Sequence, residues 1–445
     1  MPQNAYRFQF PPVIEEKFDN GAELLWLPDT EQKTVSVAFQ APFGRFSDPA
    51  GLEGAVELLV ALVQKGTRSL GAEAFTDKFE FTGSSLFAEI GDEQVIIGCK
   101  MLSRFSAEIM PLFWEMVTNP ALDEKELSIL KRELLTSIQA ESTEPSAVAS
   151  RHFHVEVFGR GHPAGRFHTA ESVKKITASV LRNLYETCVV PHGCAIVIAG
   201  DFDYENASGS WQPLFQSWTG KSRPQAVVDA PRPRAAARRI RLVDKPDLTQ
   251  TTLLMGFPVP GELGGERNAL ALANYVFGGG NFSSRLMTEV RSRMGKTYSI
   301  ASQMSLCRDF GLFTVSTATR NGQVGEMLDM ILSACGRFRD GGITTEELDD
   351  ARTYAVGNMA FQLEGIVNIA EKLLWLKLYG RSREYIENFP DTINGLPKKE
   401  VDAAIRRHLD PAQLSIVAVG AGKEVYGQLE KTGDVVRYHY RDAVR

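Results

Sequence analysis

A single glutamate interrupts an apolar segment near the N-terminus. Residues 51–64 are apolar on nearly every side of a helix, which predicts a buried helix, and Glu57 is the exception. A carboxylate in such a place needs a hydrogen-bonding partner, or its pKa is raised. Glu57 is therefore either a paired or rim-facing structural residue, which is the ordinary case, or a candidate catalytic group.

Four of the seven histidines lie within 17 residues, and clustered histidines can bind zinc. Catalytic zinc sites use histidines four positions apart on a helix, as in H-E-x-x-H, whereas the spacings here are 2, 8 and 6. Neither H-E-x-x-H nor H-x-x-E-H occurs in the sequence. We therefore expect surface or loop histidines and no metal site; the four residues are His152, His154, His162 and His168.

Three consecutive glycines precede a helix in the second part of the chain. Gly278, Gly279 and Gly280 could form a phosphate loop, but G-x-x-x-x-G-K-[ST] and G-x-G-x-x-G are both absent. A tight turn or a close backbone approach is the simpler interpretation. A substrate-binding loop is the weaker one.

An arginine and a tyrosine follow these glycines at a spacing that could place them together. Arg291 and Tyr298 are seven positions apart, which is two turns on one helix face unless Gly295 ends the helix. A guanidinium and a phenol that converge in a cleft can donate hydrogen bonds to a carbonyl oxygen or an oxyanion. From residue types alone, a salt-bridged surface arginine and a packed tyrosine are the ordinary alternative.

The elements that would position these residues occur twice along the chain. Residues 191–200 and 411–420 are both apolar strands closed by glycine, 220 positions apart, and each follows an amphipathic helix, 178–188 or 398–409. Upstream of each strand the pattern predicts a further strand and two helices. In the first copy these are 94–100, 105–117 and a helix after Leu122. In the second they are 312–319, 324–338 and a helix after Ile343, with Thr344 or Thr345 and Glu347 as its N-cap signature. The sequence therefore predicts two similar halves that mix strands and helices, of the α+β class.

A proline-rich and arginine-rich stretch separates the two copies. Residues 223–241 have the composition of an exposed linker. The predicted boundaries are thus an N-terminal half, 1–222, a linker, 223–241, and a C-terminal half, 242–445.

Composition excludes several classes of protein. Among 445 residues, 49 are basic and 55 acidic, so the net charge of −6 disfavours non-specific nucleic-acid binding. No run approaches the roughly 18 apolar residues of a membrane span. The five cysteines form no C-x-x-C pair and predict neither a disulfide framework nor a zinc ribbon. The first ten residues lack a signal-peptide pattern, so we expect a cytoplasmic protein.

Taken in order, these segments resemble the pitrilysin and mitochondrial-processing-peptidase family of zinc peptidases, the inverzincins. Residues 51–67 are similar to the family's G-L-A-H-F-L-E-H-M-L-F-K-G-T, residues 161–166 to G-H-P-x-G-R, and residues 282–300 to S-S-R-L…R…Y-S-V. The resemblance covers nearly the whole chain. It implies the fold of that family, in which two similar mixed α/β halves form half of a clam-shell chamber.

The sequence departs from the family at the metal ligands. Gly54 and Leu58 stand where the family has its two metal-binding histidines, and only the glutamate, Glu57, is retained in this degenerate motif. The third ligand, a glutamate, should fall near Ser137 or Ile138, where no carboxylate stands. Glycine and leucine cannot bind zinc, so we expect no metal and no other cofactor in this chain.

The family's arginine and tyrosine positions, by contrast, match at Arg291 and Tyr298. The resemblance therefore implies the zinc-less subunit of a heterodimeric metallopeptidase that is inactive alone and cleaves unfolded peptides. Zinc would be bound by a homologous partner with H-x-x-E-H, and Arg291 and Tyr298 would bind the substrate carbonyl. One alternative is an inert structural homologue, like a bc1-complex core subunit. Another is a peptide-binding module without a catalytic partner.

Overall fold

The computed structural model describes residues 8–220, 238–294 and 299–442. Each half contains a mixed six-stranded sheet. The first sheet consists of β1 (Ile14–Lys17), β2 (Glu23–Pro28), β3 (Thr34–Ala41), β4 (Ser85–Ile90), β5 (Val95–Leu102) and β6 (Ala195–Gly200). The second consists of β7 (Arg239–Asp244), β8 (Gln250–Pro260), β9 (Ile300–Leu306), β10 (Phe310–Arg320), β11 (Ser415–Gly420) and β12 (Asp434–His439).

The two sheets share one strand order, which confirms the predicted duplication. The orders are β1-β2-β6-β3-β5-β4 and β12-β7-β11-β8-β10-β9, so five strands correspond one to one. In both sheets the central strand pairs in parallel with one neighbour, β2 with β6 and β7 with β11. Only the outer strand differs, because β1 runs antiparallel to β2 whereas β12 runs parallel to β7.

Each half also contains a series of helices. The first half contains α1 (Ala55–Val63), α2 (Ala72–Phe81), α3 (Ser106–Thr118), α4 (Glu124–Glu141), α5 (Pro145–Phe158), α6 (Ala170–Lys175), α7 (Ala178–Cys188) and α8 (Tyr204–Gln216). The second contains α9 (Arg267–Asn274), α10 (Arg285–Met294), α11 (Val324–Gly341), α12 (Thr345–Gln362), α13 (Ile366–Leu378), α14 (Glu384–Glu387), α15 (Phe389–Gly395), α16 (Lys398–His408) and α17 (Gly422–Leu429). Thr344 and Glu347 form a capping box at the start of α12, as their spacing predicted. In the described ranges, no helix combines the length and the apolar character needed to cross a bilayer.

The predicted linker, 223–241, falls mostly outside the described residues. Its last four residues, 238–241, are described, and β7 begins at Arg239. The second sheet therefore starts three residues before the predicted C-terminal half at 242.

Each sheet is covered on one face by helices of its own half and on the other by a helix from the opposite half. Helix α5 of the first half packs on the second sheet, where Phe153 is fully buried among Val243, Leu312 and Val417. Helix α13 of the second half packs on the first sheet, with Leu373 buried among its apolar side chains. The sheets therefore have apolar residues on both faces, which explains their near-continuous hydrophobic strands.

Helices α5 and α13, which we call the exchanged helices, are each held on the opposite half by ion pairs. In α5 the helix supplies the carboxylate, and in α13 it supplies the ammonium group. Near the end of α5, buried Glu156 pairs with buried Arg241 of β7, and Arg239 Nη1 lies 3.8 Å from Glu156 Oε1. Near the end of α13, Lys377 Nζ lies 2.8 Å from Glu15 of β1 and 2.7 Å from Glu23 of β2. If α5 packed on the first sheet instead, Glu156 would face the carboxylates of Glu15 and Glu23. If α13 packed on the second sheet, Lys377 would face the guanidinium groups of Arg239 and Arg241.

We expect Glu156→Gln to lower the free energy of unfolding by about 3–5 kcal/mol, because the buried guanidinium of Arg241 would lose its countercharge. Glu15→Gln is the matched control: Glu15 is about one-third exposed, so the loss should be about 1 kcal/mol or less. Urea unfolding monitored by circular dichroism measures both. Equal losses for the two variants would show that the Glu156 pair does not hold α5 on the second sheet.

Candidate functional site

The start of α1 is set by a carboxylate from an earlier loop. Asp48 accepts hydrogen bonds from the backbone N–H groups of Gly54, at 2.8 Å, and Val56, at 2.7 Å. Burial raises the pKa of Asp48 to about 6, although these two hydrogen bonds act in the opposite direction. Gly54 has φ of +99°, a left-handed conformation, so α1 begins at Ala55. The prediction that the helix begins at residue 51 was wrong for this reason.

The surroundings of Gly54 and Leu58, which the resemblance places at the metal-binding histidines, do not suit an imidazole. A Cβ on Gly54 would lie 3.1 Å from the Cβ of His168, and the backbone there suits only glycine. Leu58 is 2% exposed and belongs to the apolar core under the first sheet. The α1 surface thus presents Glu57 alone to the site.

Glu57 is paired, as its ordinary interpretation predicted. His168 Nδ1 lies 3.1 Å from Glu57 Oε2, and His168 Nε2 lies 3.5 Å from Glu141 Oε2. Arg151 completes the row, because its Nη2 donates to the same Glu141 oxygen at 2.5 Å. The carboxylates and cations alternate along this cluster of Glu57, His168, Glu141 and Arg151, which we call the charge row.

The charge row shifts the pKa values of its members. The hydrogen bond from His168 lowers the pKa of Glu57. Burial alone would lower the pKa of His168, but the hydrogen bond to Glu57 and the charges of both carboxylates raise it. Both shifts favour the ion pair over the neutral forms.

The charge row also occupies the region where the third zinc ligand was predicted. Ser137 Oγ donates to Glu141 Oε1 at 3.2 Å, whereas Ile138 is buried in the core. Glu141, one turn beyond Ser137 on α4, is a member of the charge row. The sequence contained no periodic signal for Glu141 or His168, because their contacts join distant segments.

The charge row is a poor metal site. The two carboxylates lie against opposite nitrogens of the His168 ring, so they cannot converge with it on one ion. Glu141 is already engaged by the guanidinium of Arg151. Among the described residues, no group of three or more His, Cys, Asp and Glu side chains has an arrangement that could hold a metal.

The prediction of surface or loop histidines was wrong for His152, which is buried on α5, whereas His162 and His168 lie in the loops that follow α5. His152 is 1% exposed, packs on Tyr438 with ring centroids 5.3 Å apart, and has a pKa lowered by burial to about 4. His162 stacks on Phe158 at 5.0 Å. His152 and His162 lie where the exchanged α5 meets the second half, and His168 pairs within the charge row, so packing and pairing explain their clustering.

Gly278 and Gly279 end a π-helical turn, Tyr275–Gly279, and Gly280 follows it as the C-cap residue. A Cβ on Gly278 would lie 2.6 Å from the backbone nitrogen of Ser302, and one on Gly280 would lie 2.7 Å from the carbonyl oxygen of Tyr275. The glycines, Gly279 included, thus allow a close backbone approach, as the simpler interpretation predicted. A substrate-binding role for them stays a prediction.

Arg291 lies on α10, and the start of this helix is firmly attached. Arg285 donates to both carboxylate oxygens of Glu347, each at 2.6 Å, and to the carbonyl of Gly342 at 2.9 Å. Such a bidentate pair fixes α10 against the start of α12. The side chain of Arg291 and the whole of Tyr298 lie outside the described residues, so the pair stays a prediction.

The fold is built from two repeats of one mixed α/β unit, and comparison with known proteins identifies the family. The family model "Insulinase (Peptidase family M16)" matches residues 25–166, and "Peptidase M16 inactive domain" matches residues 175–354. The chain belongs to the M16 peptidase family, which includes the insulinase and pitrilysin types.

Similar proteins agree with this assignment. An uncharacterized zinc protease of Streptomyces coelicolor is 25% identical over 346 residues, 76% of this chain and 74% of the relative. Another from Bacillus subtilis is 23% identical over 356 residues, 78% of this chain and 83% of the relative. A crystal structure titled as a peptidase M16 inactive domain from Pseudomonas fluorescens superposes with a TM-score of 0.84 at 22% identity, covering 92% and 98% of the two chains. A protease from Helicobacter pylori gives a TM-score of 0.83 at 16% identity, covering 93% and 100%.

We expect the pair of Glu57 and His168 to stabilise the fold most between pH 4.5 and 6.5. The stabilising effect of His168, whose pKa is raised, is complete below its ordinary value of 6.5 and is lost as the pH rises through the folded value. That of Glu57, whose pKa is lowered, is present above 4.5 and is lost as the pH falls. His168→Gln should therefore cost about 1 kcal/mol or less at pH 5.5, because Glu57 is partly exposed, and still less at pH 8.

Urea unfolding at the two pH values measures this difference, with His439→Gln, at an exposed histidine of β12, as the matched control. A larger cost of His168→Gln at pH 8 than at pH 5.5 would contradict the assignment.

We expect the double substitution Gly54→His and Leu58→His to fail to create a zinc site. It would strain the backbone at residue 54 and bury an imidazole in the core, at a cost of about 3 kcal/mol or more. Gly51→His is the matched control, because Gly51 also has positive φ, +81°, but has no atom within 4 Å of its Cβ position. Thermal unfolding and zinc titration measure the outcome. Nanomolar zinc binding by a well-folded double variant would show that the ligand positions were misaligned.

Proposed function

We propose that this chain is the non-zinc-binding subunit of a heterodimeric M16 metallopeptidase that cleaves unfolded peptides. In this proposal it contributes Arg291 and Tyr298 to a site whose zinc is held by a homologous partner with H-x-x-E-H. The observation that carries the proposal is the contrast between the two halves. The metal positions are occupied by Gly54 and Leu58, whereas the arginine and tyrosine of the second half are retained.

The environment of Glu57 supports the absence of a catalytic metal in this chain. In a zinc peptidase the carboxylate of this motif acts as a general base on water. Here the pKa of Glu57 is lowered by His168, and a weaker base is less suited to that task. The carboxylate instead belongs to the charge row, which ties α1 to α4 and α5.

The attachment of α10 supports the proposal that the second half holds Arg291 in position. Donors that stabilise a developing oxyanion are effective only when they are held in place before the reaction. The bidentate pair of Arg285 with Glu347 holds the start of the helix that carries Arg291. The partner's zinc would polarise the carbonyl of the bond to be cleaved, and Arg291 and Tyr298 would donate hydrogen bonds to its oxygen.

The chain alone should bind no stoichiometric zinc and cleave no peptide, whereas mixing it with an H-x-x-E-H partner should produce activity that neither chain has alone. Arg291→Ala or Tyr298→Phe should lower kcat/KM of the mixture by roughly 10²–10³-fold, the usual effect of removing one oxyanion donor. Arg291→Lys should restore the rate only partly, since an ammonium lacks the planar fork of donors. Hydrolysis of a fluorogenic peptide and elemental analysis measure these outcomes.

Zinc content and heterodimer formation should be unchanged in these variants, because neither residue is a ligand. Arg406→Ala, at an exposed arginine of α16, is the matched control and should keep the wild-type rate. Rates within twofold of the wild type for both Arg291→Ala and Tyr298→Phe, in an intact heterodimer, would favour an inert structural subunit instead.

A further inference from the structure

A cavity of about 370 Å³ lies behind the glycine turn of the second half, among α9, α12, α13 and α15. Its walls are largely aromatic, and the rings of Tyr275 and Tyr354 stack with their centroids 4.4 Å apart. The remaining aromatic walls are Trp375, Tyr385 and Phe389. A cavity of this size and lining fits one bulky apolar side chain or a small ligand.

The ammonium group of Lys372 lies beside this aromatic wall. Lys372 Nζ lies 5.2 Å from the centroid of the Trp375 ring and 3.5 Å from the amide oxygen of Gln362. In the described ranges, no carboxylate oxygen lies within 4.0 Å of it. Burial lowers the pKa of Lys372, and an anion placed beside the ammonium would offset this loss of hydration.

The charges around the cavity also favour an anion. Glu262 is buried and is shared by two guanidinium groups, those of Arg267 at 3.1 Å and Arg381 at 3.3 Å. One carboxylate therefore faces two arginines, and Lys372 adds a third cation. Among the described residues, the other carboxylate whose charge acts on Lys372 is Glu371, at an exposed position of α13.

We propose that this cavity binds a carboxylate attached to an aromatic or bulky apolar group, as at the C-terminus of a peptide that ends in phenylalanine. The ammonium of Lys372 would bind the carboxylate, and the aromatic walls would enclose the side chain. The site is formed entirely by the second half and uses neither Glu57 nor the pair Arg291 and Tyr298, so it does not depend on the proposed peptidase role.

An exposed apolar strip leads away from the cavity and favours a peptide over a free small molecule. Tyr354, on the rim, is 46% exposed, and Phe361, two turns further along α12, is 72% exposed. Asn358 and Gln362 of the same helix line the cavity, so the cavity and the strip share one helix face. The residues that precede a bound C-terminus could pack along this strip.

The test uses the full chain and three probes: a heptapeptide ending in phenylalanine with a free carboxylate, the same heptapeptide as its C-terminal amide, and N-acetylphenylalanine. Isothermal titration calorimetry should show the free carboxylate binding at least tenfold more tightly than the amide. Lys372→Gln should abolish this preference, and Ala355→Phe, which fills the cavity, should abolish binding of all three probes. Circular dichroism should confirm that both variants are folded.

Lys423→Gln, at an exposed lysine of α17, is the matched control and should keep the preference. Equal binding of acid and amide, or a preference that survives Lys372→Gln, would overturn the site. Tighter binding of the heptapeptide than of N-acetylphenylalanine supports a peptide C-terminus, whereas equal affinity would overturn the peptide as the source of the carboxylate.

Discussion

The exchange of α5 and α13 between the halves is the constraint on which the rest of the structure depends. Each sheet has two apolar faces, and the helices of one half can cover only one of them. The second face is buried by a helix from the other half, so neither half would have a complete core alone. Reversed ion pairs, Glu156 with Arg241 and Lys377 with Glu23, oppose the wrong docking of either helix by like-charge repulsion.

The exchange also shapes the site around Glu57. Because α5 leaves the first half, the chain must return after it, and the returning segment brings His168 to Glu57. The charge row thereby connects α1, α4 and α5 around the glutamate of the motif, Glu57. The ion pairs of the row hold these elements together, while Asp48 and Gly54 fix the start of α1.

Local patterns in the sequence predicted local structure well. The helix Ala178–Cys188 and the capping box of Thr344 were predicted because amphipathic period and capping chemistry are confined to a few neighbouring residues. Contacts between distant segments left no such pattern. Glu57 and His168 are 111 positions apart, and the left-handed Gly54 depends on a carboxylate from another loop, so the charge row and the true start of α1 could not be predicted. The exchange of helices was missed for the same reason. The first and the second sheet are both apolar, so the sequence of α5 does not indicate on which of the two it packs.

The central claim is that this chain completes the catalytic site of a partner from across a shared chamber. The most direct test is a crystal structure of the heterodimer with an uncleaved peptide, obtained with a partner whose motif glutamate is replaced by glutamine. We expect the guanidinium of Arg291 and the hydroxyl of Tyr298 to lie about 3 Å from the oxygen of the carbonyl that would be cleaved. Both side chains directed away from the peptide, or a peptide bound without contact to this chain, would contradict the claim.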